Sequence, residues 1–238
     1  MRKILRVGCV CFGVIALALA GGLAWAYFDT RDLPDTESLA QFAPARITRV
    51  DDPCRGTSSI AVPYELIGDG LRSALGVAEI PEDAPKVIDA TFRLVHAPRE
   101  FKGGSLSMRV ARAEICSPAN ALNHEASELR FAVQLERHFS QRELFTMFAN
   151  RTSFGGDNAG IESASQRFFH KEPNQLSTDE AALIAGLARN PSRYSPLAHL
   201  ERALIRRNDV LDAMAQRGLI NQAQAGEAKL APLGVVSQ

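Results

Sequence analysis

The chain has 238 residues, with 27 Lys and Arg against 27 Asp and Glu, a formal net charge of zero. With no basic excess to neutralise phosphates, this balance argues against a nucleic-acid-binding protein. An apolar fraction of 46% is that of an ordinary globular protein, and the length suits one domain or a domain with an appendage.

Arg2, Lys3 and Arg6 precede an uncharged run from Val7 to Phe28. About 20 apolar residues cross a bilayer at 1.5 Å per residue, so residues 1–28 read as a transmembrane anchor or a long signal peptide. Ala24-Trp25-Ala26 offers a small-x-small cleavage site, whereas the run exceeds the usual signal core of roughly 7–15 residues, which favours the anchor. With the basic end inside, the rest of the chain is expected outside the cytoplasmic membrane. Cys9 and Cys11 sit in the apolar run; Cys54 and Cys116 lie beyond it and could pair in an oxidising space or stay as two thiols. No Cys or His cluster has the spacing of a metal site.

Residues 29–56, rich in Asp, Pro and Thr, read as a stalk with a short strand near Arg46–Val50. Leu71–Val77 predicts a short helix ending near Glu79, which the prolines of IPEDAPK terminate. Val87–Val95 fits a helix or a buried strand, since its apolar residues settle on neither period. Lys102-Gly103-Gly104-Ser105 is a turn whose amides could face an anion or simply reverse the chain, ahead of Leu106–Ile115 with Arg109 and Arg112. Helical pattern begins near Ala126 and breaks before Ser140, where Ser140 and Glu143 have capping-box spacing. Ser177 and Glu180 repeat that signal, Asn190-Pro191 stops the helix that follows, Gly218 caps one over Ala203–Gln216, and Asn221 caps the last. The whole predicts a mainly helical, single-core domain over residues 57–238.

One residue stands out within this pattern. Glu128, Ala132, Leu135 and Phe139 are spaced i, i+4, i+7 and i+11, so a carboxylate shares an otherwise apolar helix face. Turning it inward costs several kcal/mol unless something pairs with it or uses it.

The block ELRFAVQLERHFSQRELFTMFANRTSFGGDNAGIESASQRFF, continuing through LSTDEAALIAGLARNPSRYSP, resembles glycosyltransferase family 51, the domain of monofunctional peptidoglycan transglycosylases and class A penicillin-binding proteins. VPYELIGDGLRSALGVAE and GGSLSMRVAR extend the resemblance over roughly residues 60–215. It implies a lysozyme-like, mainly helical fold behind a membrane helix. It also implies polymerisation of lipid II onto a nascent glycan strand, with loss of undecaprenyl pyrophosphate. In that family the Glu of a Glu-Asp-x-x-Phe motif is the general base, and the Glu of Arg-Lys-x-x-Glu assists pyrophosphate departure.

The resemblance puts Glu128 at the second acid, with His124 and Glu125 replacing the basic pair. For the first acid it favours Glu79, where Ile80 replaces the Asp; Glu82 with Asp83, and Asp89 with its spacing to Phe92, are the alternatives. Gly103, Gly104, Ser105 and Ser107 stand at the donor-side loop, and Arg109 (at a Gln of the family pattern) and Arg112 could restore the missing positive charge. Asn150 stands at a Tyr-Leu-Asn position, with an architectural role or a substrate contact open to it; Gly155, Gly160 and Glu162 match the loop that follows.

No cofactor is required, although a divalent cation could assist the pyrophosphate. The chain ends shortly after the last predicted helix, so transpeptidases, or divisome and elongasome proteins, are the partners expected to cross-link the product. A catalytically impaired scaffold that binds lipid II or glycan, and a lytic transglycosylase, are the competing readings.

Overall fold

Local side-chain chemistry opens the helices where the sequence calls for it. The Glu143 amide donates to Ser140 Oγ at 3.3 Å while the Ser140 amide donates to the Glu143 carboxylate at 2.8 Å. Asn221 and Gln224 exchange the same pair of bonds at 2.8 Å each, and the Ser177 amide donates to Glu180 at 2.9 Å. Each pair satisfies amides that the first helical turn would leave orphaned.

The computed structural model describes residues 35–52, 57–79, 105–115, 121–155 and 159–236. The apolar run of residues 1–28, the segment 87–95, Cys54, Cys116, Glu82, Asp83, Asp89, Gly103 and Gly104 lie outside them. Among the described residues no helix is long and apolar enough to cross a membrane.

The helices are α1 (Asp69–Ala78), α2 (Leu106–Glu114), α3 (Ala121–His138), α4 (Gln141–Arg151), α5 (Ile161–Phe169), α6 (Thr178–Leu187), the single turn α7 (Pro191–Tyr194), α8 (Leu200–Gln216) and α9 (Gln222–Leu230). The described residues also include an antiparallel hairpin, β1 (Thr48–Asp52) with β2 (Thr57–Ala61), in which Val50 faces Ser59. The domain is mainly helical, as expected. Helices α3 and α8 start earlier than their apolar periods suggest, at Ala121 and Leu200.

Two helices lie at the centre. Every residue of α4 from Leu144 to Arg151 is buried, and so is every residue of α6 from Ala181 to Leu187. A helix without a polar face has to be wrapped on all sides. Helices α1 and α8 pack on α6, while α2 packs on both α3 and α4. The segment read as a stalk joins the same core: a 3-10 turn at Glu37–Phe42 buries Leu39 and Phe42, and β1 buries Val50. Composition hid this, because two apolar anchors spaced three apart are enough to dock a segment otherwise made of Asp, Pro and Thr.

Asn150 fastens that segment. Its side chain is fully buried; Nδ2 donates to the carbonyls of Phe42 and Val62 at 2.9 Å each, and Oδ1 accepts from the Val62 amide at 3.1 Å. Both amide hydrogens are thereby spent on backbone, which is the architectural role considered for this residue. The loop after α4 returns over it at Gly160, where φ is +97° and a Cβ would lie 2.8 Å from the Asn150 carbonyl oxygen. Only glycine fits there.

Removing the tie should be costly. Asn150→Ala leaves three buried backbone groups without partners and is expected to lower stability by about 3 kcal/mol or more, seen as a fall in melting temperature of about 6–12 °C.

Candidate functional site

Helix α2 organises the acids. Ser105 is its N-cap, accepting from the Met108 amide at 3.3 Å, and the helix then presents Arg109 and Arg112 one turn apart on the same side. Arg109 reaches back to the end of α1, and its Nη2 forms an ion pair with Glu79 Oε2. Arg112 reaches across to α3, with Nε 3.2 Å from both oxygens of Glu128 and Nη2 2.9 Å from Oε2. Glu79 and Glu128 are therefore both brought to one helix face.

Glu79 caps α1. Its side chain is only 3% exposed, whereas that of its partner Arg109 is 35% exposed. Two arginines of the α8 region hold this helix end: Arg206 donates to the Ala78 carbonyl and Arg217 to the Gly76 carbonyl, both at 3.3 Å. These are carbonyls a helix C-terminus leaves unpaired, and cations suit the negative end of its dipole. Arg206 Nη2 also lies 3.9 Å from Glu79 Oε1, an oxygen that is buried and makes no hydrogen bond.

Glu128 is 3% exposed, so the acid that the apolar stripe singled out does face inward, with Ala132 and Leu135 fully buried beside it. Arg109 has cations for neighbours as well as a carboxylate. Burial first, then the charges of Arg112 and Arg189, lower the proton affinity of its guanidinium from the ordinary 12.5. It remains a cation at physiological pH.

Ser105 and Ser107 are bonded within the fold. They are 1% and 0% exposed, lie 2.8 Å apart by their Oγ atoms, and Ser107 Oγ donates to Glu136 at 2.5 Å. The chain Ser105–Ser107–Glu136 ties the start of α2 to α3.

Other residues of the site escaped the sequence reading. Glu114, at the end of α2, and Arg151, at the end of α4, form an ion pair with both side chains 3% exposed. The signal was present: Glu114 follows Val110 and Ala111 at helical spacing, the same placement of a charge on an apolar face that marked Glu128. Arg206 carries no such signal, because it is matched to atoms far away in sequence.

A cleft of about 330 Å³ lies between β2 and α5, lined by Arg49, Ser58, Ser59, Ile60, Glu162, Ser163 and Gln166, and contains neither acid. Burial pushes the Glu162 carboxyl above its ordinary 4.5, partly offset by the hydrogen bond from Gln166 and reinforced by the charge of Glu172. Among the described residues no cluster of three or more His, Cys, Asp or Glu could hold a metal ion.

Comparison with known proteins places this geometry in context. A protein-family model described as Transglycosylase matches residues 82–215. That span contains Glu128 and the whole of α2, and begins three residues after Glu79. Penicillin-binding protein 1A of Aquifex aeolicus is 29% identical over 244 residues, covering 94% of this chain and 33% of that protein. Penicillin-binding protein 1C of Escherichia coli is 38% identical over 148 residues, covering 62% of this chain and 19% of that protein. The chain thus spans a third or less of the length of these relatives. A crystal structure of penicillin-binding protein 1A from Haemophilus influenzae overlaps 56% of this chain and 17% of its own, with 25% identity and a TM-score of 0.39.

The raised Glu162 carboxyl gives a pH-dependent expectation. A raised folded value means the group favours folding below the ordinary carboxylate range and loses that contribution as pH rises through the folded value. Glu162→Gln should therefore raise the melting temperature by about 1–2 °C at neutral pH and leave it unchanged below about pH 4, measured by thermal denaturation at both pH values.

Proposed function

The chain belongs to the transglycosylase family, and on that footing we propose that it is a peptidoglycan glycosyltransferase of cell wall synthesis, polymerising lipid II into glycan strands with release of undecaprenyl pyrophosphate. The observation that carries the reading is the convergence of two buried carboxylates on one arginine-bearing helix face, Glu128 through Arg112 and Glu79 through Arg109. Residues 1–28 would anchor the domain to the cytoplasmic membrane, with residues beyond them on the extracytoplasmic side and transpeptidases as working partners.

In the proposed step the acceptor 4-hydroxyl gives its proton to Glu79 and its oxygen bonds to the donor sugar C1 with inversion. The C1–O bond to the diphosphate breaks, and its electron pair leaves on undecaprenyl pyrophosphate. Glu128 assists that departure, and Arg112 supplies positive charge that His124 and Glu125 cannot. A buried diphosphate needs such charge, because Coulombic terms grow as water is excluded.

A second reading, an impaired transglycosylase that binds lipid II or glycan as a scaffold, draws support from Glu79 itself. It precedes the family match, and an arginine on a carboxylate weakens it as a base.

Glycan polymerisation from labelled lipid II separates the two. Glu79→Gln and Glu128→Gln should each slow polymer formation by about 10²-fold or more, while Glu82→Gln and Asp89→Asn leave it near wild type. If the wild type binds lipid II yet makes no polymer, the scaffold reading stands instead. If Asp89→Asn or Glu82→Gln abolishes polymer and Glu79→Gln does not, the base is reassigned.

A further inference from the structure

The two halves of the Arg109–Glu79 pair are unequally placed. The carboxylate is 3% exposed and fixed at the end of α1; the guanidinium is 35% exposed, on the end of a flexible side chain. Arg109 also has Arg112 one turn along α2 and Arg189 just beyond α6 close enough to repel it. Arg189 is exposed and makes no ion pair with any described residue. Three guanidiniums thus lie within electrostatic reach of one another, two of them paired with carboxylates.

We propose that Arg109 is an exchangeable cation: it covers Glu79 in the unliganded protein, and turns to a diphosphate anion held with Arg112 and Arg189, so that anion binding and exposure of Glu79 are one event. A diphosphate carries more charge than a carboxylate and accepts the two-pronged guanidinium fork equally well, so it competes for Arg109. The exchange does not strand Glu79. Arg206 stays 3.9 Å from Oε1, because its guanidinium is tied to the Ala78 carbonyl at 3.3 Å and the Gly186 carbonyl at 3.5 Å. One cation leaves and one remains, which keeps the carboxylate ionised without capping it.

The consequence is an order of events. Resting on the transglycosylase reading, the donor's diphosphate would arrive first and free the carboxylate that takes the acceptor's proton. Glu79 would then be masked whenever no donor is bound.

The exchange is tested by linkage, without turnover. Full-length protein in detergent micelles is titrated with inorganic pyrophosphate by calorimetry, as wild type, Glu79→Gln, Arg109→Gln and the double variant. Because Glu79 and the anion compete for one cation, Glu79→Gln should tighten pyrophosphate binding by on the order of tenfold, and Arg109→Gln should abolish that gain. Unchanged or weaker binding in Glu79→Gln, or a gain that persists without Arg109, overturns the proposal. The wild type gives a second readout should a variant fail to fold. The Glu79 carboxyl, followed by carbon-13 NMR between its cationic neighbours Arg109 and Arg206, should titrate at higher pH once pyrophosphate is saturating, and no movement also overturns the proposal.

Competition by undecaprenyl pyrophosphate assigns the anion to a lipid-linked source; its failure to compete, with the coupling intact, assigns it to free diphosphate. Coupling without glycan polymer would remove the transglycosylase reading and leave the exchange standing. Polymer without coupling would remove the exchange alone.

Discussion

Buried carboxylates that must keep a cation set the arrangement of this molecule. Helix α2 is nine residues long, and charge ties it to three neighbours. Arg109 joins it to Glu79 at the end of α1, Arg112 to Glu128 on α3, and Glu114 to Arg151 on α4. Ser107 adds a bond to Glu136. Each pair offsets the desolvation cost of a buried carboxylate. Apolar packing of Leu106, Val110 and Ala111 places the helix, and the ion pairs fix its rotation and depth.

That division explains what could be read in advance. The capping box at Ser140, the cap at Asn221, the break at Pro191 and the inward carboxylate at Glu128 depend on residues spaced within about one helix turn of the next, and all four are found as expected. The bonds that Ser107 and Asn150 make within the fold reach partners 29 to 108 residues away, which a local motif does not encode. The docking of Leu39 and Phe42 was hidden for a related reason: two side chains carry it, too few to impose a period on the surrounding polar sequence. Strand β2 was missed because its mixed polar residues pair with β1 through backbone, which composition does not encode.

The pairing of acids also separates family membership from activity. The family match covers Glu128 and α2 but starts beyond Glu79, and the basic pair expected before Glu128 is replaced. The charge lost from that pair has counterparts on a neighbouring helix. Arginine suits this relocation better than lysine, because its fork grips both oxygens of a carboxylate, as Arg112 does with Glu128, and can offer the same two hydrogens to a phosphate.

The control of Glu79 reaches back into the core through a single glycine. At Gly186 on α6 a Cβ would lie 2.9 Å from Arg206 Cγ, so the Arg206 side chain keeps its close approach to α6 because that position lacks a side chain. The approach sets where the Arg206 guanidinium arrives, on the Gly186 carbonyl, on the last carbonyl of α1 and beside Glu79. A residue in the central, fully buried helix thereby determines the electrostatic surroundings of a carboxylate at the end of another.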